Sequence, residues 1–415
     1  MTLPDRFLWG VSTSAFQIEG AFAEGGRTPS VWDRFPVHEG QDASVACDHY
    51  HRYREDVALL RDLGVGAYRF SVAWPRIQPF GRTSEGLDFY DRLVDELVAA
   101  GIAPVATLYH WDTPLALEEA GGWLNRDTAH RFAEYAATVA DRLADRVALW
   151  IPVNEPAMLT LQGYAVGQHA PGKALLYDAL PVAHHLNLAH GLAVSALRSA
   201  GARAVGTANN HTPAWPATPD PADVAAAQAY SAVHNLLFSD PVLTGRYPDA
   251  LADRLPILDG DPAIVSAPLD FYGVNYYNPT RLRAPSPGNP LPFELVDITE
   301  HPLTGFGWPV VPSGLTEVVT WLRDRYPDLP PVYVTENGCS FPHAADDTDR
   351  VDYLSAHVDA ALEAGVRGYF VWSVMDNFEW EAGYSQRFGL VHVDYDTGVR
   401  TPRASYHWYR DRIGR

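Results

Sequence analysis

Two glutamates directly follow apolar stretches of the sequence, and such a pair could do acid–base chemistry. Glu336 ends the run VYVTE that begins at Val332, and Glu155 ends the run LWIPVNE that begins at Leu149. Runs of β-branched and aromatic residues of this length are typical of buried strands. A carboxylate that leaves water needs a partner or a proton, so its place after a buried strand indicates a chemical role. Neither glutamate stands at a capping-box position, and we predict that the two side chains face each other.

The elements that must position this pair alternate along the chain. Short apolar stretches predict eight strands, at 7–11, 67–72, 103–111, 147–156, 202–210, 269–277, 331–338 and 368–378. Amphipathic spacing predicts eight helices, at 49–64, 87–101, 125–145, in the Ala-rich stretch before Gly201, at 223–238, at 313–326 with a serine cap, and at 347–365 and 402–413. Nearly continuous apolar strands are typical of parallel strands covered on both sides. We therefore predict a (β/α)8 TIM barrel, with residues 1–415 forming a single domain.

A doubly wound sheet is the alternative fold. It usually needs a glycine-rich phosphate loop after an early strand, and the sequence lacks one.

Each predicted strand carries or leads to an unusual polar group, in most cases at its end. In chain order these are Gln17 after the first strand; Arg69 inside the second; His110 and Trp111; Asn154 and Glu155; Asn209 and Asn210; Asn275, Tyr276 and Tyr277; Glu336 and Asn337; and Trp372, Asp376, Asn377, Glu379 and Trp380. In a barrel these ends meet at one face, and that face carries the active site. We interpret Asn209, Asn210, Asp346 and Asp347 as ordinary loop or cap residues, whereas this interpretation explains Glu155 and Glu336 poorly.

A buried carboxyl pair beside tryptophans and amides suits glycoside hydrolysis. One carboxyl group protonates the leaving oxygen and the other attacks or stabilises the oxocarbenium-like centre. Tryptophan rings bind the apolar face of a sugar, and polar side chains bind its hydroxyls. We predict that Arg69 lowers the pKa of Glu336, while burial and the Glu336 charge raise that of Glu155.

The composition excludes several classes of partner. The chain has 51 Asp and Glu against 31 Lys and Arg, a formal net charge of −20, which argues against nucleic acid and anionic membranes. Cys47 and Cys339 are the only cysteines, which favours a reducing, cytoplasmic location. We expect no signal peptide, no membrane span, no metal and no cofactor, because the sequence has no basic–apolar leader, no long apolar run and no HExxH motif. His184, His185 and His190 are expected to be solvated or packed on a surface helix.

The sequence resembles glycoside hydrolase family 1, the family of the β-glucosidases, over nearly its whole length. The motifs that carry the resemblance are FLWGVSTSAFQIEG, ACDHYHRYREDVALL, YRFSVAWPRI, LYHWDTP, VNEP, DFYGVNYY, VTENG and GYFVWSVMDNFEWEAGYSQRFGLVHVDY. The resemblance implies a retaining, exo-acting β-glycosidase that removes terminal non-reducing β-D-glucosyl residues from small glycosides and oligosaccharides by double displacement. Galactosyl and fucosyl residues are open as further glycones, and so is the oligomeric state.

The same resemblance implies a role for each matching residue. Glu155 is implied as the acid/base and Glu336 as the nucleophile, with their carboxyl groups about 5–5.5 Å apart. Arg69 and Tyr277 are implied to contact the nucleophile and set its charge. The residues implied for substrate binding or its support are Gln17, His110, Trp111, Asn154, Asn275, Tyr277, Trp308, Trp372, Glu379, Trp380 and Phe388. A cis peptide bond is implied between Trp372 and Ser373.

The sequence departs from the family pattern around the expected site. Pro152 stands where the family usually has threonine, and it could alter the geometry of the strand. Ala157 replaces the aromatic residue that often borders the aglycone site. The loop HEGQDASV and the predicted seventh helix look shortened. Mouth shape and aglycone preference are therefore expected to differ, while the catalytic groups are kept.

The sequence leaves two alternative functions. In 6-phospho-β-glycosidases of the family, phosphate-binding residues replace Glu379 and Trp380, and a carboxylate at that place repels phosphate. A barrel that binds sugar without turnover is expected to lack a catalytic glutamate, whereas Glu155 and Glu336 are both present.

Overall fold

The centre of the protein is one sheet of eight parallel strands. The computed structural model describes residues 7–77, 84–342 and 346–414. Strands β1 to β8 are Leu8–Ser12, Ala67–Ser71, Ala103–Tyr109, Leu149–Val153, Gly206–Asn210, Phe271–Asn275, Val332–Asn337 and Gly368–Trp372. Their spatial order is β4-β3-β2-β1-β8-β7-β6-β5. Isolated bridges from Trp150 to Val205 and from Asn154 to Ala208 bring β4 to β5. The predicted (β/α)8 TIM barrel is therefore confirmed.

Eight main helices, α1 to α8, follow the strands in turn and cover the barrel. They are His49–Leu63, Ser84–Ala99, Asp127–Leu143, Leu180–Ser199, Pro221–Ser231, Pro312–Arg325, Thr348–Glu363 and Ala404–Ile413. In α3, Phe132, Tyr135, Val139 and Leu143 are buried on one face. This is the stripe that a spacing of three and four residues predicts, because 3.6 residues complete a turn.

Shorter elements connect the main ones. Short α-helices are Ala15–Ile18, Trp74–Ile77, Leu115–Glu119, Pro156–Met158, Asp249–Ala252 and Asp261–Val265. Turns of 3₁₀-helix are Val31–Asp33, His38–Gly40, Gly122–Leu124, Leu176–Ala179 and Trp380–Ala382. Two π-helices are Leu159–Val166 and Ala232–Leu236, and the second continues α5 into an α-helix at Leu237–Thr244. Ala214–Pro216, Thr280–Arg283 and Glu294–Val296 form a small side sheet, and Val391–Val393 pairs with Arg400–Pro402.

The predicted serine cap of α6 is wrong. The helix begins at Pro312, and Val311 is the N-cap without a side-chain hydrogen bond. Proline suits the first helical position because its φ is already helical and it has no N–H to leave unpaired. Ser313 therefore lies inside the helix.

Helix α4 is not the surface helix that the sequence indicates. His184, His185 and His190 are at most 4% exposed. His184 is hydrogen-bonded to Tyr247 and Asp261. The expectation that these histidines are packed is confirmed, and the alternative that they are solvated is wrong. No helix among the described residues is long and apolar enough to cross a membrane.

The strands β4 and β5 are sparsely paired. The backbone N–H of Trp150 donates to the Ala204 carbonyl, and that of Glu155 donates to the Ala208 carbonyl. Between them, Asn154 donates to the Tyr109 carbonyl of β3, and Pro152 has no N–H to donate. Glu155 nevertheless keeps a backbone hydrogen bond to β5.

Candidate active site

A cavity of about 440 Å³ lies at the carboxyl ends of the barrel strands. Most of the residues predicted for the site line it: His110, Trp111, Glu155, Tyr277, Trp308, Glu336, Trp372, Glu379, Trp380 and Phe388. Arg69, Gln17, Asn154 and Asn275 are not among the lining residues and are at most 1% exposed. These four side chains support the cavity wall from behind.

Glu336, at the end of β7, has a donor on each carboxyl oxygen. Its Oε1 accepts a hydrogen bond from Arg69 Nη1 at 2.5 Å, and its Oε2 accepts one from the Tyr277 hydroxyl at 2.9 Å. Burial raises the pKa of Tyr277 well above its usual range, so this hydroxyl keeps its proton and donates a hydrogen bond to Glu336. Glu336 therefore faces one charged and one neutral donor.

The Arg69 guanidinium is held in place by further hydrogen bonds. Its Nε donates to the Thr107 hydroxyl at 3.0 Å, and its Nη1 donates to the Thr335 carbonyl at 3.0 Å. Its Nη2 donates to Asn154 Oδ1. A buried guanidinium in a fixed position gives a strong, directed interaction with a carboxylate.

Glu155 has different surroundings. It follows β4 with a φ of 44°, a left-handed conformation that a residue with a side chain adopts only when its neighbours hold it there. Its Oε1 accepts hydrogen bonds from Asn275 Nδ2 at 2.7 Å and from Asn210 Nδ2 at 3.4 Å. Both donors are neutral amides, in contrast to the guanidinium on Glu336.

The two carboxyl groups therefore hold their protons differently. Burial, and then the charge of Glu336, raise the pKa of Glu155 to about 8. Burial also raises the pKa of Glu336, although its donors, Arg69 first, act in the opposite direction. Arg69 thus acts as predicted, but the expected net lowering is wrong because burial is the larger effect. Since a charged donor favours only the ionised form of Glu336, that group is the first of the pair to lose its proton.

A chain of buried amides connects the pair to His110. Asn275 Nδ2 also lies 3.1 Å from Asn154 Oδ1. Asn154 Nδ2 lies 3.1 Å from His110 Nε2, so the amide donates and the ring nitrogen accepts. The proton of the neutral ring is then on Nδ1, which has no partner among the described residues. A buried donor of this kind is suited to a ligand hydroxyl.

Two tryptophan rings enclose His110. The ring centroids of His110 and Trp372 are 5.7 Å apart, and those of His110 and Trp380 are 5.8 Å apart. Burial, and then the Arg69 charge, keep the pKa of His110 well below its usual value, so the ring is neutral. The peptide bond between Trp372 and Ser373 is cis, as the resemblance implies.

Gln17 and Glu379 form a second polar group. Gln17 Nε2 donates to the Phe378 carbonyl at 2.8 Å and to Glu379 Oε2 at 3.2 Å, and Gln17 Oε1 accepts from the Ser14 hydroxyl at 2.6 Å. Burial, and then the charge of Glu381, raise the pKa of Glu379 well above its usual value. The sequence predicts that the Glu379 carboxylate repels a phosphate. Because the pKa of Glu379 is raised, this repulsion develops only at a pH above the raised pKa.

The outer part of the cavity is apolar. Trp308 stacks on Phe306 with centroids 4.6 Å apart and a ring angle of 7°. We call six partly exposed lining residues the apolar rim: Leu176, Leu291, Phe293, Leu295, Phe306 and Trp308. Ala157 is buried in a cluster with Leu180 and Phe238 and is not a lining residue. Ala157 therefore does not border the cavity, and other side chains form the rim.

The interpretation of Asn210 as an ordinary loop residue is wrong. Asn210 lines the cavity and donates to Glu155, whereas Asn209 bonds the Tyr272 hydroxyl at 2.9 Å and is structural, as predicted. Both stand at the end of β5, so the strand-end rule that marks Glu155 marks Asn210 as well. His234, which bonds Asn210, lies on a helix and has no such signal. No group of metal-ligating side chains occurs within the ranges that the structure describes.

Comparisons with known proteins agree over the whole chain. The family model of glycosyl hydrolase family 1 matches residues 1–415. A β-glucosidase from Agrobacterium sp. is 45% identical, covering 98% of this chain and 94% of the relative. A bifunctional β-D-glucosidase/β-D-fucosidase from Bifidobacterium breve is 43% identical, covering 99% and 98%. The family 1 β-glucosidase structure from Thermotoga maritima has a TM-score of 0.95 at 38% identity, covering 100% of this chain and 98% of that one.

Proposed function

The chain belongs to glycosyl hydrolase family 1, and we propose that it is a retaining, exo-acting β-glucosidase. Its substrates are the terminal non-reducing β-D-glucosyl residues of small glycosides and oligosaccharides. The observation that carries the proposal is the unequal carboxyl pair, in which Glu336 contacts a guanidinium and Glu155 contacts only amides. Retaining glycosidases need one ionised and one protonated carboxyl group at the same pH.

In the first step Glu336 is the nucleophile. One of its oxygens forms a bond to the anomeric carbon as the bond from that carbon to the leaving oxygen breaks. The electron pair of the broken bond stays on the leaving oxygen, which takes the proton of Glu155. A pKa of about 8 keeps this proton on Glu155 at neutral pH. The products are a glycosyl ester on Glu336 and the free aglycone.

In the second step Glu155 is the base. Its carboxylate takes a proton from a water molecule, and the water oxygen bonds to the anomeric carbon. The ester bond to Glu336 breaks, and its electron pair returns to the carboxylate, which Arg69 and Tyr277 then stabilise. Two inversions at the same carbon leave the β configuration unchanged.

The polar inner wall binds the glycone. The Nδ1–H of His110, which has no partner among the described residues, and the carboxyl group of Glu379 offer a donor and an acceptor to sugar hydroxyls. Trp372 and Trp380 supply aromatic faces. The B. breve relative is named for β-fucosidase activity as well, and we propose fucosides, which lack the 6-hydroxyl, and galactosides as further substrates.

Neither alternative function has a specific observation in its favour. Both carboxyl groups are present and accept hydrogen bonds, which speaks against a barrel that only binds sugar. The described residues that line the cavity include no Lys or Arg to receive a 6-phosphate, and Glu379 lies there instead. A cytoplasmic location and a single domain stay predictions of the sequence.

The test is the configuration of the first product. Purified enzyme is mixed with an aryl β-glucoside, and the anomeric protons are followed by NMR before mutarotation. We expect β-glucose first and α-glucose only later, with Glu336→Ala as the inactive control. If α-glucose forms first, the retaining mechanism is wrong. A panel of aryl glucosides, fucosides and galactosides, compared by kcat/KM, then ranks the glycones.

A further inference from the structure

A line of hydrogen bonds reaches Glu155 from outside the residues assigned to the reaction. The Thr280 hydroxyl lies 3.5 Å from the Tyr230 hydroxyl, which lies 3.2 Å from His234 Nδ1. His234 Nε2 lies 2.9 Å from Asn210 Oδ1, and Asn210 Nδ2 lies 3.4 Å from Glu155 Oε1. We call these residues the His234 line. His234 is buried and lies on the π-helix Ala232–Leu236, a helix type that is frequent at functional sites.

The donor and acceptor atoms of the residues in the His234 line determine the direction of each hydrogen bond. Burial, and then His211, lower the pKa of His234 to about 3, so the ring is neutral and has one N–H. Because Asn210 Oδ1 can only accept, that N–H is on Nε2. Nδ1 is then an acceptor, and the Tyr230 hydroxyl donates to it. The Asn210 amide is thereby held with its oxygen toward His234 and its NH₂ toward Glu155.

This orientation of Asn210 gives Glu155 a second hydrogen-bond donor in addition to Asn275. Asn275 Nδ2 also donates to Oε1 of Glu155, so both hydrogen bonds to this carboxyl group within the described residues end on the same oxygen. An oxygen that receives two donors is a poor place for a proton. The proton of the acid form therefore belongs on Oε2, and Glu155 lines the cavity that holds the leaving oxygen.

We propose that His234 is a positioning residue that locks the Asn210 amide, so that both amides donate to Oε1 of Glu155 and the transferable proton stays on Oε2. This inference rests on the proposed function of Glu155 as the acid/base. If the Asn210 amide turned over, its oxygen would face Oε1 and draw the proton to that atom. Protonation of the leaving group would suffer, while the attack by Glu336 would not.

The test compares two β-glucosides that differ in their need for an acid. A 2,4-dinitrophenolate leaves without protonation, whereas the oxygen of an octyl group must be protonated to leave as octanol. His234→Phe keeps a ring but removes both hydrogen bonds. We expect kcat/KM for octyl glucoside to fall roughly tenfold, with less than about a twofold change for the dinitrophenyl substrate. Asn210→Ala should give the same pattern, and the double variant should be no worse than Asn210→Ala alone.

Two further variants separate positioning from stability. His234→Gln keeps a side-chain N–H that can reach Asn210, and we expect it to restore most of the octyl glucoside activity. His190→Gln changes another buried histidine, on α4 and outside the cavity lining, and should affect neither substrate selectively. Thermal unfolding of each variant shows which ones are folded.

Specific outcomes would overturn the proposal. If His234→Phe and Asn210→Ala slow both substrates equally, or slow neither, His234 does not position the acid. If His234→Phe does not fold, Asn210→Ala and His234→Gln still decide. Failure of the proposed function is a separate result, because the wild-type enzyme would then hydrolyse neither glucoside.

Discussion

The inner end and the outer end of one cavity are built in opposite ways. At the inner end, charged and polar side chains such as Glu155, Glu336 and Glu379 are at most 9% exposed and have hydrogen-bond partners. At the apolar rim, Leu295 is 67% exposed and Leu176 is 40% exposed. At the inner end the polar side chains are thus buried, and at the rim apolar side chains are exposed. Both placements cost free energy, which is why each indicates a ligand rather than folding.

The difference between the inner end of the cavity and the apolar rim indicates that the two regions have separate tasks. Buried charges interact strongly because little water screens them, so the inner end can change the energy of charged states in the reaction. Exposed apolar side chains gain only the burial of area when a ligand covers them. Changes at the inner end should therefore alter rates by orders of magnitude, and changes at the rim should alter KM by small factors.

The largest effect is expected for Glu336→Ala. Loss of the nucleophile should lower kcat for aryl β-glucosides roughly 10⁴-fold or more. Added azide can occupy the space of the missing carboxylate and should restore part of the turnover, with the α-glucosyl azide as product. The measurement is the rate of phenol release and the identity of the azide by NMR. Unchanged turnover in this variant would remove Glu336 from the reaction.

The next effect is expected for Glu155→Ala. Without its acid the enzyme should lose about 10²–10⁴-fold in kcat/KM for an alkyl glucoside, and much less for the 2,4-dinitrophenyl glucoside. Azide should here give the β-glucosyl azide, since it attacks the glycosyl ester in place of water. An equal loss for both leaving groups would contradict the role as acid.

The pH profile of kcat/KM tests how the pair is charged. Glu155 acts as an acid only while protonated, so activity should be lost as the pH rises through its raised pKa of about 8. Glu336 acts only when ionised, so activity should be lost as the pH falls through its pKa, which burial places above the ordinary value for glutamate. Glu155→Gln, measured on the dinitrophenyl substrate, should no longer show the basic limb. A basic limb that persists there belongs to another group.

A smaller effect is expected for Glu379→Gln. Like charges that are brought together disfavour binding, so the wild-type enzyme should prefer a glucoside to its 6-phosphate. Because the pKa of Glu379 is raised, this preference should grow as the pH rises and more of the carboxyl group is ionised. The variant should lower the kcat/KM ratio of the two substrates about tenfold and remove its pH dependence. A 6-phosphoglucoside that is cleaved faster by the wild type would reverse this assignment.

The same contrast separates what could be predicted from the sequence. The barrel and the places of Glu155 and Glu336 follow from strand ends, which short and nearly continuous apolar runs mark. The apolar rim comes from loops, from the 3₁₀ turn that begins at Leu176 and from the side-sheet strand that holds Leu295. No local pattern places Leu295 or His234 beside a cavity. The direction in which the pKa of Glu336 shifts could not be predicted from the sequence either. It depends on whether burial, which raises this pKa, outweighs Arg69, which lowers it. Strand-end chemistry is local in sequence, whereas burial and rim contacts arise only after the chain has folded.

The smallest effect is expected for substitutions at the apolar rim. Two exposed leucines, one that lines the cavity and one that does not, allow this effect to be measured against a control. Leu295 lines the cavity and is 67% exposed, while Leu258 is 57% exposed and is not a lining residue. An octyl aglycone should cover Leu295, and partial burial of a leucine contributes about 1 kcal/mol, or a factor of roughly five in affinity. Leu295→Ser should therefore raise KM for octyl glucoside about fivefold, leave kcat unchanged and leave methyl glucoside unaffected. Leu258→Ser should change neither substrate. If Leu295→Ser lowers kcat instead, the rim takes part in the chemistry, and the division between the two ends of the cavity does not hold.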